Sequence, residues 1–191
     1  MHMIGIYAHI EKHLGESIEL LFDLVQQPSV SEQGLGFDQA PQLVKRVLEG
    51  VGLTAETVPV PNNGHPSVFA WASALSPRPA KPSAGARAGG PVPEVLEGLG
   101  RQTSQPRTSG PLRASGTPAL DSSKPTLLLY TFYDVQPPEP VELWESPPFE
   151  PTRRGDRVLG RGISDNKGNI AARLSAIRAF LEVRGGLPYS L

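Results

Sequence analysis

Residues 127–135, LLLYTFYDV, decide the fold, because a continuous apolar run bounded by turn residues is typical of a central β-strand. Its side chains do not alternate between apolar and polar, so we expect both faces of the strand to be covered. Asp134 then lies just beyond the C-terminal end of the strand, where open α/β sheets place ligand-binding and catalytic groups. A turn-stabilising aspartate before Pro137 is the alternative interpretation.

The residues before this strand alternate between helical and extended patterns. Apolar side chains at helical spacing predict one helix over residues 4–27 and another over residues 37–51. Short strands are predicted over residues 54–59 and 68–71, with a turn between them. Helices that alternate with strands indicate an α/β layer fold.

A segment of different composition interrupts this pattern. Nearly half of residues 75–124 are Gly, Pro or Ser, and the segment has no aromatic residue. Such a sequence buries too little apolar area to offset an ordering entropy of about 1–2 kcal/mol per residue. We therefore predict a disordered insertion at 75–124 between two parts of one domain, 1–74 and 125–191. A basic tether for an acidic partner is the alternative.

A second chemistry-bearing segment follows at Gly160–Gly168 (GRGISDNKG), before a helix predicted over residues 166–183. Asp165 lies at the expected start of that helix. The alternative is again structural, because aspartate and asparagine are favoured helix caps. Lys167 in the first helical turn opposes the helix dipole, which suggests that the locality serves something besides helix stability.

Composition excludes several classes of function. The net charge is −1, so no electrostatic footprint indicates binding to nucleic acid or to an anionic membrane. There is no cysteine, so any metal must be held by His, Asp or Glu. No apolar run approaches the roughly 20 residues that span a bilayer. The N-terminus lacks the features of a signal peptide, and a cytoplasmic location is the default expectation.

The two segments together resemble one family of zinc metallopeptidases. It includes aminoacylases, acetylornithine deacetylase, succinyl-diaminopimelate desuccinylase, carboxypeptidase G and the cytosolic dipeptidases. Its members show His-x-Asp-Val at a strand end, then Trp, Pro-Phe and Arg-Gly-x-x-Asp-x-Lys-Gly. The matching residues here are Phe132–Val135, Trp144, Pro148-Phe149 and Arg161–Gly168. The sequence Tyr-Asp-Val-Gln-Pro is most similar to that of the dipeptidase branch.

The resemblance implies the N-terminal part of a three-layer α/β catalytic domain with a central mixed, largely parallel sheet. It also implies two zinc ions that activate a water to hydrolyse the amide bond of a dipeptide or a small N-acyl amino acid. Asp165 would bridge the two metals. Asp134 would be catalytic by orienting a metal-bound histidine.

Two departures from the family leave the activity of this chain open. The expected histidine is Phe132, whose side chain offers no lone pair to a metal. The Glu-Glu pair and later ligands of the family are absent from the sequence, which we expect to be an inactive N-terminal fragment. A degenerate, non-catalytic relative that binds a partner is the second hypothesis.

The histidines offer no evident replacement for the missing ligand. His9 and His13 have the i, i+4 spacing that can chelate a metal, but no carboxylate motif accompanies them. We interpret them as a solvated helix edge. His65 is predicted to lie in a loop.

Overall fold

A computed structural model describes residues 3–62, 64–72 and 125–191 of the chain. In chain order the elements are α1 (Ile4–Lys12), α2 (Leu14–Gln26), α3 (Ala40–Gly50), β1 (Thr54–Val60), β2 (Gly64–Trp71), a 3-10 turn (Val141–Leu143), β3 (Thr152–Arg154), β4 (Arg157–Leu159), a π-helical turn (Ile163–Lys167) and α4 (Gly168–Arg184). The insertion predicted at residues 75–124 lies outside the described residues, so the domain boundaries that it sets stay predictions. Among the helices of the described residues, none has the length and apolar character needed to cross a membrane.

The helix predicted over residues 4–27 is divided in two at His13. The backbone of His13 leaves helical geometry at φ −105° and ψ 16°. Gly15 follows in the first turn of α2, where its low helix propensity weakens the continuation. The other predicted elements of this region are present, since α3 follows and β1 pairs with β2 as an antiparallel hairpin.

The hydrophobic core lies where α2, α3 and α4 meet. Its buried members are Leu24, Val44, Leu53, Ile170, Leu174, Ile177, Leu181 and Leu187. Half of these side chains belong to α4. Full burial of such a side chain stabilises a fold by about 1.5–3 kcal/mol. This packing fixes the position of α4, and therefore of the turn that precedes it.

Residues 127–134 are extended, but they do not form a regular strand with the described residues. Isolated parallel pairings hold the two ends of the segment, Thr126 with Ser190 and Val135 with Val30. The prediction of a strand covered on both faces is wrong here, because Leu128 and Tyr130 are 79% and 77% exposed. Beside most of this backbone, the described residues place no strand. Parallel pairing is confined to these bridges, whereas the two described sheets, β1-β2 and β3-β4, are antiparallel.

Candidate active site

Asp134 is held between two anchored residues. The backbone N–H of Val135 donates to the carbonyl of Ser29 at 2.8 Å. The hydroxyl of Ser29, which is fully buried, donates to the carbonyl of Tyr133 at 2.7 Å. These two bonds fix the backbone on both sides of Asp134, so its half-buried carboxylate has a defined position at the end of the extended segment.

Arg161 ties the second segment to the proline-rich loop that connects the two motifs. Its guanidinium donates to the carbonyl of Pro137 at 2.9 Å and lies 5.0 Å from the ring centroid of Trp144. Its backbone N–H donates to the carbonyl of Pro148 at 2.6 Å. A guanidinium over an indole face adds a cation–π attraction. The tryptophan and arginine of the motif are therefore parts of one packed unit.

Gly162 brings the two motif segments into direct contact. A Cβ atom on this residue would lie 2.6 Å from Cγ1 of Val135, closer than real Cβ contacts allow. Its φ of 86° is also in the left-handed region that favours glycine. The approach of the second segment to Val135 therefore depends on the absence of a side chain at position 162.

Asp165 lies in the π-helical turn before α4 with its side chain exposed. The capping alternative is wrong for this residue, because α4 begins at Gly168 and no side chain caps it. Its backbone is extended within the turn (φ −143°, ψ 91°), and its peptide bond to Asn166 is cis. Among the described residues, no hydrogen bond or ion pair engages its carboxylate. Asp165 is therefore available to an external ligand.

Two buried groups flank Asp165 in the same turn. Oδ1 of Asn166 is buried and has no hydrogen-bond partner in the described part of the chain. Lys167 is 2% exposed, and its Nζ donates to the carbonyls of Leu24 and Gln27, each at 2.7 Å. These carbonyls belong to the C-terminal end of α2, where a positive charge complements the helix dipole. Lys167, which sequence reasoning noticed without explaining, thus joins the site to α2.

The charge of Asp134 acts on two neighbouring groups. Burial raises the pKa of Tyr133 to about 12, and the negative charge of Asp134 adds to that shift. Burial lowers the pKa of Lys167 to about 8, and Asp134 opposes this shift. The carboxylate is therefore electrostatically coupled to both the extended segment and the π-helical turn.

Phe132 and His65 line the same cavity as Asp134, which has a volume of about 540 Å³. Phe132 is 38% exposed. The prediction of a loop at His65 is wrong, because this residue lies in β2. Its ring stacks on Phe37 with centroids 3.5 Å apart, and its Nε2 lies 2.9 Å from the carbonyl oxygen of Ser31. His65 is thus a nearby imidazole that already has a structural role.

The described residues do not complete a metal centre around Asp134 and Asp165. In that part of the chain, neither aspartate belongs to a group of three His, Asp or Glu side chains close enough to share an ion. Phe132 supplies no ligand atom. One accessible carboxylate and one half-buried carboxylate do not fit a zinc pair, which needs several ligands for each ion. We therefore derive no catalytic step through zinc in this chain.

One group with metal-ligand chemistry lies elsewhere, on the surface formed by α1 and α4. Ligand atoms of His9, His13 and Glu182 lie within 4.8 Å of one another. Sequence reasoning missed this carboxylate because it comes from α4. Nε2 of His9 lies 3.3 Å from Glu182, and the guanidinium of Arg178 contacts both Glu182 and Glu16. An ion-pair network accounts for these contacts.

Comparison with known proteins gives matches to about a third of the chain. A model described as Peptidase family M20/M25/M40 matches residues 128–191. A succinyl-diaminopimelate desuccinylase of Xylella fastidiosa (strain 9a5c) is 45% identical over 67 residues, which are 35% of this chain and 18% of that protein. The same enzyme from Methylococcus capsulatus is 50% identical over 58 residues, 30% of this chain and 15% of that protein. The matched part spans less than a fifth of these relatives.

Solved structures extend the similarity to the whole chain. A family M20 metallo-carboxypeptidase, Sso-CP2 from Sulfolobus solfataricus, has a TM-score of 0.58 and 28% identity over 88% of this chain and 28% of that chain. The dipeptidase Dug1p from Saccharomyces cerevisiae (TM-score 0.65, 17% identity) and human carnosine dipeptidase 1 (TM-score 0.63, 20% identity) each cover 100% of this chain and 33% of their own. The predicted α/β class, as the N-terminal part of a peptidase domain, is confirmed. This chain spans about a third of those structures.

Proposed function

We propose that this chain forms the N-terminal portion of a metal-dependent hydrolase of peptidase family M20/M25/M40, whose model matches residues 128–191. The observation that carries the proposal is the junction at Gly162, where the Asp134 and Asp165 segments touch. An exposed carboxylate that no described residue engages lies in one segment, and a second carboxylate lies in the other. This arrangement supports the roles proposed for Asp165, as a bridging metal ligand, and for Asp134, as the group that orients a ligand histidine.

The proposed substrate is a dipeptide or a small N-acyl amino acid. The relatives carry names that denote removal of a succinyl group, and the structural neighbours are named as a carboxypeptidase and two dipeptidases. All of these reactions cleave an amide bond beside an amino acid. Zinc is the proposed metal, and a cytoplasmic location stays part of the proposal. We expect neither a nucleic acid nor a membrane as a partner.

We further propose that the 191-residue chain by itself does not hydrolyse such substrates. Phe132 stands where the family has a ligand, and the described residues bring no third ligand to Asp134 and Asp165. Loss of metal ligands removes the activated water from a metallohydrolase. Rate enhancements that are typically at least about 10⁶-fold are then lost.

A non-catalytic relative remains the second candidate, and Phe132 is the observation that favours it. In that case the chain binds a partner through the remaining half of the site. A cooperative thermal unfolding transition of the 191-residue chain, together with a monodisperse solution, would favour this candidate. An aggregating product would count against it, because unpaired strand edges promote association.

The coding sequence and the native protein mass test the main proposal. We expect the reading frame to continue beyond codon 191 and to supply carboxylate and histidine ligands. The intact protein in the source cells would then be much heavier than 20.4 kDa. A stop codon directly after Leu191, with a native protein of 20.4 kDa, would contradict the proposal and leave the non-catalytic relative.

A further inference from the structure

Two histidines and a glutamate meet where α1 packs against α4. His9 lies in α1, and His13 is one helical turn later, at the C-terminal end of that helix. Their rings stack with centroids 4.3 Å apart. Glu182 lies in the last turn of α4. A ligand atom of each of these three side chains lies within 4.8 Å of the other two.

The backbone that carries these three side chains is held by packing between the helices. Ile6 of α1 is 2% exposed. A Cβ on Gly5 would lie 3.5 Å from Cγ1 of Val183, an ordinary van der Waals distance, so α1 lies directly against α4. From α2, the hydroxyl of Ser17 donates to the hydroxyl of Ser175 in α4 at 3.1 Å. The three ligand groups are therefore brought together before an ion binds, which lowers the entropy cost of binding.

The contact between His9 and Glu182 has the separation of two ligands of one metal ion. Nε2 of His9 lies 3.3 Å from Oε2 of Glu182, and the contact is an ion pair when His9 is protonated. This nitrogen is buried, and no hydrogen bond engages it among the described residues. In a tetrahedral zinc site with bonds of about 2.0–2.2 Å, neighbouring ligand atoms lie about 3.4 Å apart. A cation bound by both atoms would therefore satisfy Nε2 of His9 with little movement of either side chain.

His13 has the carboxylate partner that is typical of a metal-binding histidine. Its Nδ1 lies 2.7 Å from Oε1 of Glu16. With the proton on Nδ1, His13 donates to this carboxylate, and its Nε2 keeps a lone pair for a metal. Such a partner fixes the tautomer of a ligand histidine and makes its ring a better ligand. Glu16 therefore supports His13 as a ligand.

Arg178 orients both carboxylates of this surface. Its Nε donates to Oε1 of Glu182 at 3.1 Å, and a second guanidinium nitrogen donates to Glu16. The other oxygen of Glu182, Oε2, is thereby turned towards His9. When the two histidines are neutral, two carboxylates and one guanidinium leave one negative charge, which favours a cation.

The ligand types indicate the class of ion. Imidazole nitrogen is a preferred ligand of zinc, copper and nickel, whereas calcium and magnesium prefer oxygen ligands. Two histidines and one carboxylate hold zinc in some metalloenzymes, with a water in the fourth position. We propose that His9, His13 and Glu182 bind one divalent transition-metal ion of the zinc type and so tie α1 to α4. This inference uses no residue of the Asp134 and Asp165 segments and is independent of the proposed hydrolase function.

The probe is zinc chloride, titrated by calorimetry into the metal-free 191-residue chain. We expect saturable binding of one zinc ion per chain. His13→Ala and Glu182→Gln are each expected to weaken this binding at least about tenfold, because each removes one of three ligands. Glu11→Gln, a matched carboxylate control on α1, and Asp165→Ala are expected to bind zinc like the wild type. Absence of saturable binding by the wild-type chain, or binding that Asp165→Ala removes and His13→Ala keeps, would overturn the proposal.

Thermal unfolding of the same variants tests whether the ion ties the helices of the folded chain. An ion that binds the folded chain alone raises its melting temperature. We expect zinc to raise the melting temperature of the wild type and of Glu11→Gln, and to leave those of His13→Ala and Glu182→Gln unchanged. Melts without zinc show which variants fold, and either ligand variant is sufficient for the comparison. An equal zinc-induced rise in the wild type and in a folded ligand variant would contradict the proposed site.

Discussion

At the scale of single residues, the site consists of groups whose environments differ sharply within a few positions. Asp165 is exposed and unengaged among the described residues, whereas Lys167, two residues later, is buried and makes two hydrogen bonds to α2. Phe132 lines the same cavity as Asp134, and its aromatic ring offers no lone pair to a metal. The local backbone is therefore built to present Asp165, while the remaining ligand atoms are lacking in the described residues.

Gly162→Ala tests the close approach of the two motif segments. We expect a loss of unfolding free energy well above the roughly 1–2 kcal/mol of left-handed strain alone, because the new methyl group would collide with Val135. The matched control is Gly155→Ala. Gly155 also has a positive φ, 63°, but a Cβ there would meet nothing within 4 Å. Denaturant unfolding measures both variants, and equal losses would contradict the packed junction.

Lys167→Met tests whether the buried ammonium holds α2 to the site. Methionine fills a similar volume but leaves the carbonyls of Leu24 and Gln27 without their donor. Unsatisfied buried groups cost about 1–3 kcal/mol each, so we expect a loss of at least that size in the unfolding free energy. Lys45→Met is the control, since its exposed pair with Glu49 is worth only about 0–1 kcal/mol. An unchanged unfolding free energy of the Lys167 variant would show that the buried ammonium does not hold α2 to the site.

At the scale of elements, Glu16 connects α2 to α4 through an acid-sensitive contact. Hydrogen bonds from His13, and then from Arg178, lower the pKa of Glu16 to about 2 from 4.5. Between these values the unfolded chain binds more protons than the folded one. The stabilisation is therefore complete above pH 4.5 and is lost as the pH falls towards 2.

We therefore expect the melting temperature of the Glu16→Gln variant to fall less than that of the wild type as the pH drops from 4.5 towards 2. Thermal unfolding followed between about pH 2 and 6 measures the effect. Glu11→Gln, a change on the neighbouring helix α1, controls for the loss of one negative charge. Parallel pH profiles for wild type and the Glu16 variant would show that the hydrogen bonds from His13 and Arg178 to Glu16 do not stabilise the fold.

The sequence predicted those helices and strands whose pattern depends on residues close together in the chain. Such patterns predicted α3, the β1-β2 hairpin and α4 close to their observed bounds. Contacts between distant residues could not be predicted. Glu182 meets His9 across two helices, and Lys167 bonds to carbonyls some 140 positions earlier in the chain.

The candidate site was predictable only in part for the same reason. Asp134 and Asp165 stand out through motif spacing, and the structure joins their segments at Gly162. The exposure of Leu128 and Tyr130 was not predictable, because an apolar run carries no information on whether a strand lies beside it. The chemical roles of Asp134 and Asp165 remain proposals.

At the scale of the whole molecule, the chain has the fold of the N-terminal third of the solved peptidases, and its described residues do not supply a complete set of metal ligands. The packing of α2, α3 and α4 positions the π-helical turn, and the turn presents Asp165. Hydrolysis needs more ligand atoms than Asp134 and Asp165 provide. The central proposal is therefore that the family site is recognisable in this chain but that the 191 residues alone do not catalyse hydrolysis.

Hydrolysis of a dipeptide by the purified 191-residue chain in excess zinc tests this claim most directly. Asp165→Ala supplies the reference rate, and His13→Ala separates any effect of zinc at the His9, His13 and Glu182 surface. We predict that the wild-type chain releases amino acids no faster than its Asp165→Ala variant. Turnover by the wild-type chain that Asp165→Ala abolishes and His13→Ala leaves intact would contradict the claim.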